Sequence, residues 1–373
     1  MSIRNNNQGS IVKPGFNPLG VQTISFLYSI ETWGSNTNGQ LGLGNTTNRS
    51  SPVQVGSLTT WLNFAGGISH AVAAKTDGTL WTWGKNSNGQ LGLNNRTYYS
   101  SPKQVGSLTA WLNVASGDYH TIATKSDGTL WTWGQSTQGQ LGLGNTTNYS
   151  SPKQVGALTT WSIVAAGGSF SLALKTDGTL WSWGQGDSGQ LGLGNRTNYS
   201  SPKQIGALTA WSKIEGGGQH SVATKTDGTL WTWGQNNNGQ LGLNNRTYYS
   251  SPKQVGSLTT WLNIAACYDT LVTKTDGTLW AWGGNSAGQL GLGNTTKYSS
   301  PKQVGSLTAW LNVASGFYST VATKSDGTIW SWGENSVGQL GLGNITYYSS
   351  PKQVGALATW FKVAAGKRFY IAA

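Results

Sequence analysis

Seven near-copies of one segment fix what this chain can fold into. The first reads Trp33-Gly34-Ser35-Asn36-Thr37-Asn38-Gly39-Gln40-Leu41-Gly42, and its Trp-Gly returns at Trp83, Trp133, Trp183, Trp233, Trp282 and Trp332. The interval is 50 residues except for one of 49. A fixed period in this range marks a chain of stacked repeats, none of which buries its apolar face alone. One closed unit is therefore expected, although 373 residues would suffice for two ordinary domains.

Residues 101–150 serve as the type copy. Ser101-Pro102-Lys103-Gln104 opens it, and Pro102 suits an edge strand or turn. Leu112 to Gly117 reads as a short strand ended by glycine. His120-Thr121-Ile122-Ala123-Thr124-Lys125 alternates with period two, the signature of a half-buried strand. Ser126-Asp127-Gly128 signals a tight hairpin. Leu130-Trp131-Thr132-Trp133-Gly134 follows, its two tryptophans sharing a face because they are two apart. Gly139-Gln140-Leu141-Gly142 turns the chain back, with Leu141 and Leu143 expected inward. No segment has helical periodicity. Each unit is then a small antiparallel sheet, and seven sheets stacked around an axis give an all-β, seven-bladed β-propeller.

The ends predict how the ring closes. Gly366-Lys367-Arg368-Phe369-Tyr370-Ile371 repeats the second strand of the unit but stops before the hairpin. Phe26 to Thr32 repeats the strand after that hairpin but has nothing before it. Each end supplies what the other lacks. One blade shared by both termini is expected, with Ile30, Trp33, Phe369 and Ile371 at the seam and no free sheet edge. The propeller is placed at residues 25–373 and an irregular arm at residues 1–24. In the arm, Pro14 and Pro18 forbid a helix, while Ile11, Val12, Phe16 and Leu19 are apolar side chains a solvated tail does not need. They suggest a docking segment; the alternative is a frayed terminus.

The net charge is +12, with charged residues only 10% of the chain. The lysines of the Lys-(Thr/Ser)-Asp-Gly hairpins are cancelled by their aspartates. The excess comes largely from Lys103, Lys153, Lys203, Lys253, Lys302 and Lys352, one per repeat. A ring of single lysines blunts exposed strand ends, whereas nucleic-acid footprints cluster on one stripe; no nucleic-acid partner is expected. Cys267 is the single cysteine, which excludes a disulfide framework. No run reaches the length of a membrane span, and the first residues have no secretory pattern.

Catalytic constellations do not assemble. His70, His120 and His220 occupy one repeat position where other copies carry Phe170, Asp269, Ser319 and Phe369, so the position reads as structural, capping a turn. Most carboxylates belong to the hairpins; Asp118, Asp187 and Asp269 are extra, with nothing to link them. Gly184-Gln185-Gly186-Asp187-Ser188-Gly189 spells a phosphate-cradle pattern but opens no helix. No catalytic, metal or cofactor-binding residue is assigned, and the chain reads as non-enzymatic. The candidate surface is the variable turn after Leu-Gly-Leu-x-Asn. Its recognition residues are Arg96, Tyr98, Asn148, Arg196, Asn198, Arg246, Tyr248, Lys297 and Tyr347, types suited to protein or glycan contact. The constant tyrosine after them (Tyr99, Tyr149, Tyr199, Tyr249, Tyr298, Tyr348) reads as packing.

The run Gly117-Asp118-Tyr119-His120-Thr121-Ile122-Ala123-Thr124-Lys125-Ser126-Asp127-Gly128-Thr129-Leu130-Trp131-Thr132-Trp133-Gly134, followed by Gly139-Gln140-Leu141-Gly142, resembles the repeat of the regulator of chromosome condensation family. The resemblance covers residues 25–373 and implies a seven-bladed propeller with shared ends. Kelch propellers share the period but lack Gly-Gln-Leu-Gly. The family's founding members are exchange factors for the GTPase Ran that bind chromatin through an inserted wedge and a basic tail. Here the even spacing leaves no room for an insertion, and the first 24 residues hold only Arg4 and Lys13 as basic groups. The near-identity of the copies and the Asn-rich leader look more like repeat proteins of tailed bacteriophages. The expected role is thus a binding protein on a virion or its tail, held to other virion proteins by the arm and presenting loops to a host-surface glycan or protein. Purely architectural decoration and a cellular scaffold or exchange-factor-like regulator, cytoplasmic in location, are the alternatives.

Overall fold

Each repeat becomes a four-stranded antiparallel sheet, and the computed structural model stacks seven of them around one axis among the residues it describes, 29–57 and 60–373. The proposed docking residues Ile11, Val12, Phe16 and Leu19 lie outside the described residues. In the type copy the inner strand is Trp111–Ser116, the second His120–Lys125, the third Leu130–Gly134 and the outer Tyr149–Gln154. Asp-Gly makes the hairpin between second and third strands in every complete blade. In the first of them Gly78 has φ +77°, and the Asp77 carboxylate accepts from the Thr79 amide at 2.8 Å and from its hydroxyl at 2.6 Å. Those bonds from Thr79 hold the Asp77 carboxyl below its usual range. Asp77→Ala is expected to cost about 1 kcal/mol, read as a lower urea midpoint; an unchanged midpoint would mean Gly78 alone sets this turn.

Proline sits where its missing amide does no harm. The third and outer strands pair Gly134 with Tyr149 and Thr132 with Lys153, and an irregularity between them absorbs Ser150, Ser151 and Pro152. Lys153 lies beyond it on the outer strand, where lysine discourages edge-to-edge pairing. Its ammonium stands 5.5 Å from the ring centre of Tyr149, one of the constant tyrosines.

The repeated Trp-Gly and Gly-Gln-Leu-Gly segments are the two halves of a clasp between blades. Trp133 is fully buried, and its indole Nε1 donates to the Gln90 carbonyl of the preceding blade at 2.9 Å. Thr121 Oγ1 donates to the same carbonyl at 2.9 Å. Gly92 lies against the indole with φ +72°, and a Cβ there would come within 2.8 Å of Nε1. The clasp recurs from Trp33 to Gln339 and from Trp83 to Gln40, so the motif repeats because the joint repeats. The core is accordingly divided among the joints: Val72, Ala74 and Leu80 of one blade pack with Trp111, Ala123 and Trp133 of the next. The two tryptophans of the third strand differ in burial. Trp133 is inside, while Trp131 is half-buried, with the Lys125 ammonium 4.9 Å above its ring. Leu141 is fully buried and Leu143 partly so.

The seventh blade is shared by the two ends. Its order is Arg49–Gln54, Glu31–Gly34, Phe369–Ala372, Val363–Ala365, from outer to inner strand. Glu31 faces Ala372, Trp33 faces Tyr370 and Gly34 faces Phe369 across the seam. Ile30, Trp33, Phe369 and Ile371 are fully buried there. Trp33 lies 5.9 Å from the Tyr370 ring and 6.3 Å from Trp360.

Candidate functional site

The two faces of the ring are built from different turns, and only one of them varies. The Asp-Gly hairpins and the Gly-(Ser/Ala)-Leu links lie on one face and scarcely change from copy to copy. Leu108, Leu158, Leu208, Leu258, Leu307 and Leu357 stand exposed along that face at equivalent positions. The other face carries the turn from inner to second strand and the long loop from third to outer strand. The two are tied together, as where the Lys85 amide donates to the Ser69 carbonyl at 2.8 Å.

The inner turns form a ring around the axis, and no two are alike. Around it stand Ile68-Ser69, Asp118-Tyr119, Gly168-Ser169, Gly218-Gln219, Cys267-Tyr268, Phe317-Tyr318 and Lys367-Arg368. They surround a funnel of about 450 Å³, walled largely by glycine backbone together with Asp118, Gln185, Gln219, Gln235, Tyr268, Phe317 and Lys367. Lys367 bridges the axis: its ammonium is 3.5 Å from the Asp118 carboxylate and 4.1 Å from the Phe317 ring centre. Tyr268 meets Phe317 edge-on at 4.3 Å. Burial raises the Asp118 carboxyl despite the opposing pull of Lys367. Burial also raises the Cys267 thiol, with Asp269 and Asp118 adding to it, so it remains a protonated, unreactive thiol. The divergent, one-residue-shorter copy thus contributes Cys267 and Tyr268 to the funnel wall.

Below the funnel the inner strands enclose a narrower channel of about 210 Å³. Its lining residues include Phe64, Val114, Val164, Ile264, Val313 and Val363 with a ring of alanines, but more of its surface is polar than apolar. Glu215 breaks that ring. The equivalent residues in the other six blades are Ala65, Ala115, Ala165, Ala265, Ala314 and Ala364. Burial alone pushes the Glu215 carboxyl up to about 8.

The nine recognition residues lie on this same variable face, in the outer part of the long loops. Arg96, Tyr98, Arg196, Asn198, Arg246, Lys297 and Tyr347 are exposed, while Asn148 and Tyr248 are half-buried. The two asparagines also fasten their own loops: Asn148 Oδ1 accepts from the Ser136 amide and Asn198 Oδ1 from the Gly186 amide, each at 2.8 Å. Lys297 reaches Asn238 of the neighbouring blade at 2.8 Å, and the Arg196 guanidinium lies 5.6 Å from the Tyr248 ring centre. Loops of adjacent blades therefore meet as one surface.

The histidines do not cap turns. Each opens a second strand, is fully buried and reaches the next blade: His70 Nε2 to Thr121 Oγ1 at 3.2 Å, His120 to Ser171 at 3.0 Å and His220 to Thr270 at 2.9 Å. Those hydroxyls already donate to Gln90, Gln140 and Gln240 carbonyls, so each imidazole must supply the proton from Nε2. Nδ1 is left without a partner. A second proton there would be a buried, unsatisfied donor, and burial lowers the three groups to about 3, 4 and 3. Among the described residues no group of three or more His, Cys, Asp or Glu is placed to hold a metal. No helix among them is long and apolar enough to cross a membrane.

Comparison with known proteins agrees with this architecture. The profile of the RCC1-like domain matches residues 158–373, and that of the regulator of chromosome condensation (RCC1) repeat matches 32–74, 77–124 and 127–174. Among solved structures, that of Kap60 bound to yeast RCC1 (Prp20) superposes with a TM-score of 0.83 at 21% identity, over 99% of this chain and 96% of the other. Prp20p from Saccharomyces cerevisiae, whose structure was described with its binding to Gsp1p and histones, gives 0.80 at 22% identity, over 94% and 92%. Human WBSCR16 gives 0.82 at 22% identity, over 92% and 98%. None of the curated protein sequences matches this one.

Proposed function

Since the chain belongs to the regulator of chromosome condensation (RCC1) repeat family, the RCC1-like domain alone accounting for residues 158–373, we propose that it is a non-enzymatic binding propeller acting through its variable face. One observation carries this reading. The copies differ chiefly in the inner turns and long loops of a single face, while the clasps, hairpins and opposite face repeat. A purely architectural ring has no use for seven different turns around one funnel. The setting we propose is a virion or its tail, with residues 1–24 docking to other virion proteins and the outer loops meeting a host-surface glycan or protein. Exposed tyrosine and arginine at Tyr98, Tyr347, Arg96 and Arg246 suit either ligand, through ring stacking and directed hydrogen bonds.

The test is binding of the labelled full chain to host cells and to an immobilised glycan panel. Combined replacement of Tyr98, Arg246 and Tyr347 by serine is expected to weaken binding at least about tenfold, as loss of aromatic and arginine anchors does. The midpoint of thermal unfolding should barely move, since exposed positions carry little stability. Unchanged binding would remove the outer loops from the site. Yeast Prp20p binds Gsp1p and histones; acceleration of nucleotide exchange on a small GTPase would replace this reading with a regulatory one. Binding to particle proteins alone would leave a decoration protein.

A further inference from the structure

We propose that the axial channel is a binding site for an alkylammonium or guanidinium group, which enters through the funnel of the variable face and pairs with Glu215. This goes beyond the proposed function and does not rest on it, because the channel is a cavity of its own whatever the outer loops bind.

The argument starts from an asymmetry. Six blades put alanine at this point of the inner strand and one puts glutamate. A buried charge costs stability unless something pairs with it, and a chain that repeats itself this closely had alanine available. Glu215 lines both the channel and the funnel, so its carboxylate is reached from the variable face. On its own strand Lys213, two residues away on the same face, is engaged by the Asn263 side chain, and the strands packed against that strand carry ionisable groups only at their ends. Lys175 and Lys225 lie over Trp181 and Trp231, at 3.8 and 4.3 Å from the ring centres, and His220 is held by Thr270. The other ionisable side chains of the funnel are Asp118, Lys367, Cys267 and Tyr268, and Lys367 is engaged by Asp118 and Phe317. Burial is the one influence on the Glu215 carboxyl.

The surroundings select the kind of cation. A hard metal ion needs several oxygen ligands, and the channel wall offers alanine, valine, isoleucine and phenylalanine beside one carboxylate. A channel of about 210 Å³ has room for a short hydrocarbon stem beside that carboxylate. A second acceptor stands ready: Ser116 lines both cavities, and its Oγ is buried without a hydrogen-bond partner. A stem with a cationic tip, from a free amine or from a lysine or arginine of a docked protein, pairs with the Glu215 carboxylate and carries N–H donors of the kind Ser116 Oγ lacks.

The experiment is calorimetric or NMR titration of the full chain at pH 6.5 and pH 9. The probes are butylammonium chloride and the capped peptide Gly-Gly-Lys-Gly-Gly. Saturable binding of at least one probe is expected, at least about tenfold tighter at pH 9, where Glu215 is ionised and the amine still charged. Glu215→Gln and Glu215→Ala, the latter matching the other six blades, should lose at least about tenfold in affinity at pH 9 while unfolding cooperatively. Binding of the peptide alone would assign the cation to a partner's side chain, and binding of butylammonium would allow a free amine. Absence of saturable binding by both probes at pH 9, or equal affinity in Glu215→Gln, would overturn the proposal.

Discussion

A chain lacking Phe369–Ala373 is expected to lose its cooperative unfolding transition altogether. The deleted strand is the second of the shared blade and pairs on both sides, with Glu31–Gly34 and with Val363–Ala365. Its side chains Phe369, Tyr370 and Ile371 are fully buried, and burial of each is worth about 1.5–3 kcal/mol. Tyr370 also bonds Ser319 of the sixth blade at 2.7 Å, and the Trp33 indole packs on its ring. Together these losses rival the whole stability of a typical domain, about 5–15 kcal/mol. The ring would also gain two bare sheet edges, which invite association. Circular dichroism during heating and gel filtration would show a broad melt and aggregation. A sharp transition near that of the full chain would mean that the shared blade does not hold the ring shut.

The seam was legible in the sequence because two incomplete copies complement each other, with Glu31-Thr32-Trp33-Gly34 on one side and Phe369-Tyr370-Ile371 on the other. The blades were legible because the clasp demands the same tryptophan, glutamine and glycines every time. What escaped notice lies where copies differ without a recognisable motif. Glu215 is conspicuous only when the seven inner strands are aligned by position and alanine is found in all the others. The inner turns are two residues long, too short for a pattern, and their meaning comes from closure, which brings Asp118 and Lys367 together across 249 positions. The histidines were misread for the same reason. Their hydrogen-bond partners lie 50 or 51 residues away in the next copy. A trace of this was visible: where Phe369 replaces histidine, the following blade carries Ala71 in place of the hydroxyl, and the two share one apolar cluster.

Those buried ionisable groups set the second large effect, a stability optimum near pH 6.5. The folded pKa values of His70, His120 and His220 fall to about 3, 4 and 3, so the stability these groups contribute is present above their ordinary value of 6.5 and is lost as pH falls. Asp269 and Glu215 behave oppositely. Burial raises them to about 7 and about 8, so their contribution is complete below the ordinary carboxyl values of 3.8 and 4.5 and is lost as pH rises through 7 and 8. Each proton by which one state exceeds the other is worth about 1.4 kcal/mol per pH unit. Between about pH 4.5 and 6.5 the unfolded chain holds three extra imidazole protons and the folded chain two extra carboxyl protons. These five groups leave a net of one; Asp118 and Glu31, also raised by burial, oppose the histidines further, and stability declines gently toward acid. Below about pH 4.5 Asp269 and Glu215 are protonated in both states, the hairpin aspartates held below their usual range add to the histidines, and the decline steepens. Between about pH 6.5 and 8 these two carboxyls dominate and stability falls toward alkali, while above about 8 Lys362, which burial lowers to about 8, begins to oppose them. Urea unfolding from pH 4 to 8.5 would trace this profile. The double variant Asp269→Asn, Glu215→Gln removes the largest part of the compensation, so its slope between pH 4.5 and 6.5 should be clearly steeper than that of the parent, and its alkaline decline should flatten. A double variant with the parental slope would mean that these two carboxyls are ionised in the folded ring across that range.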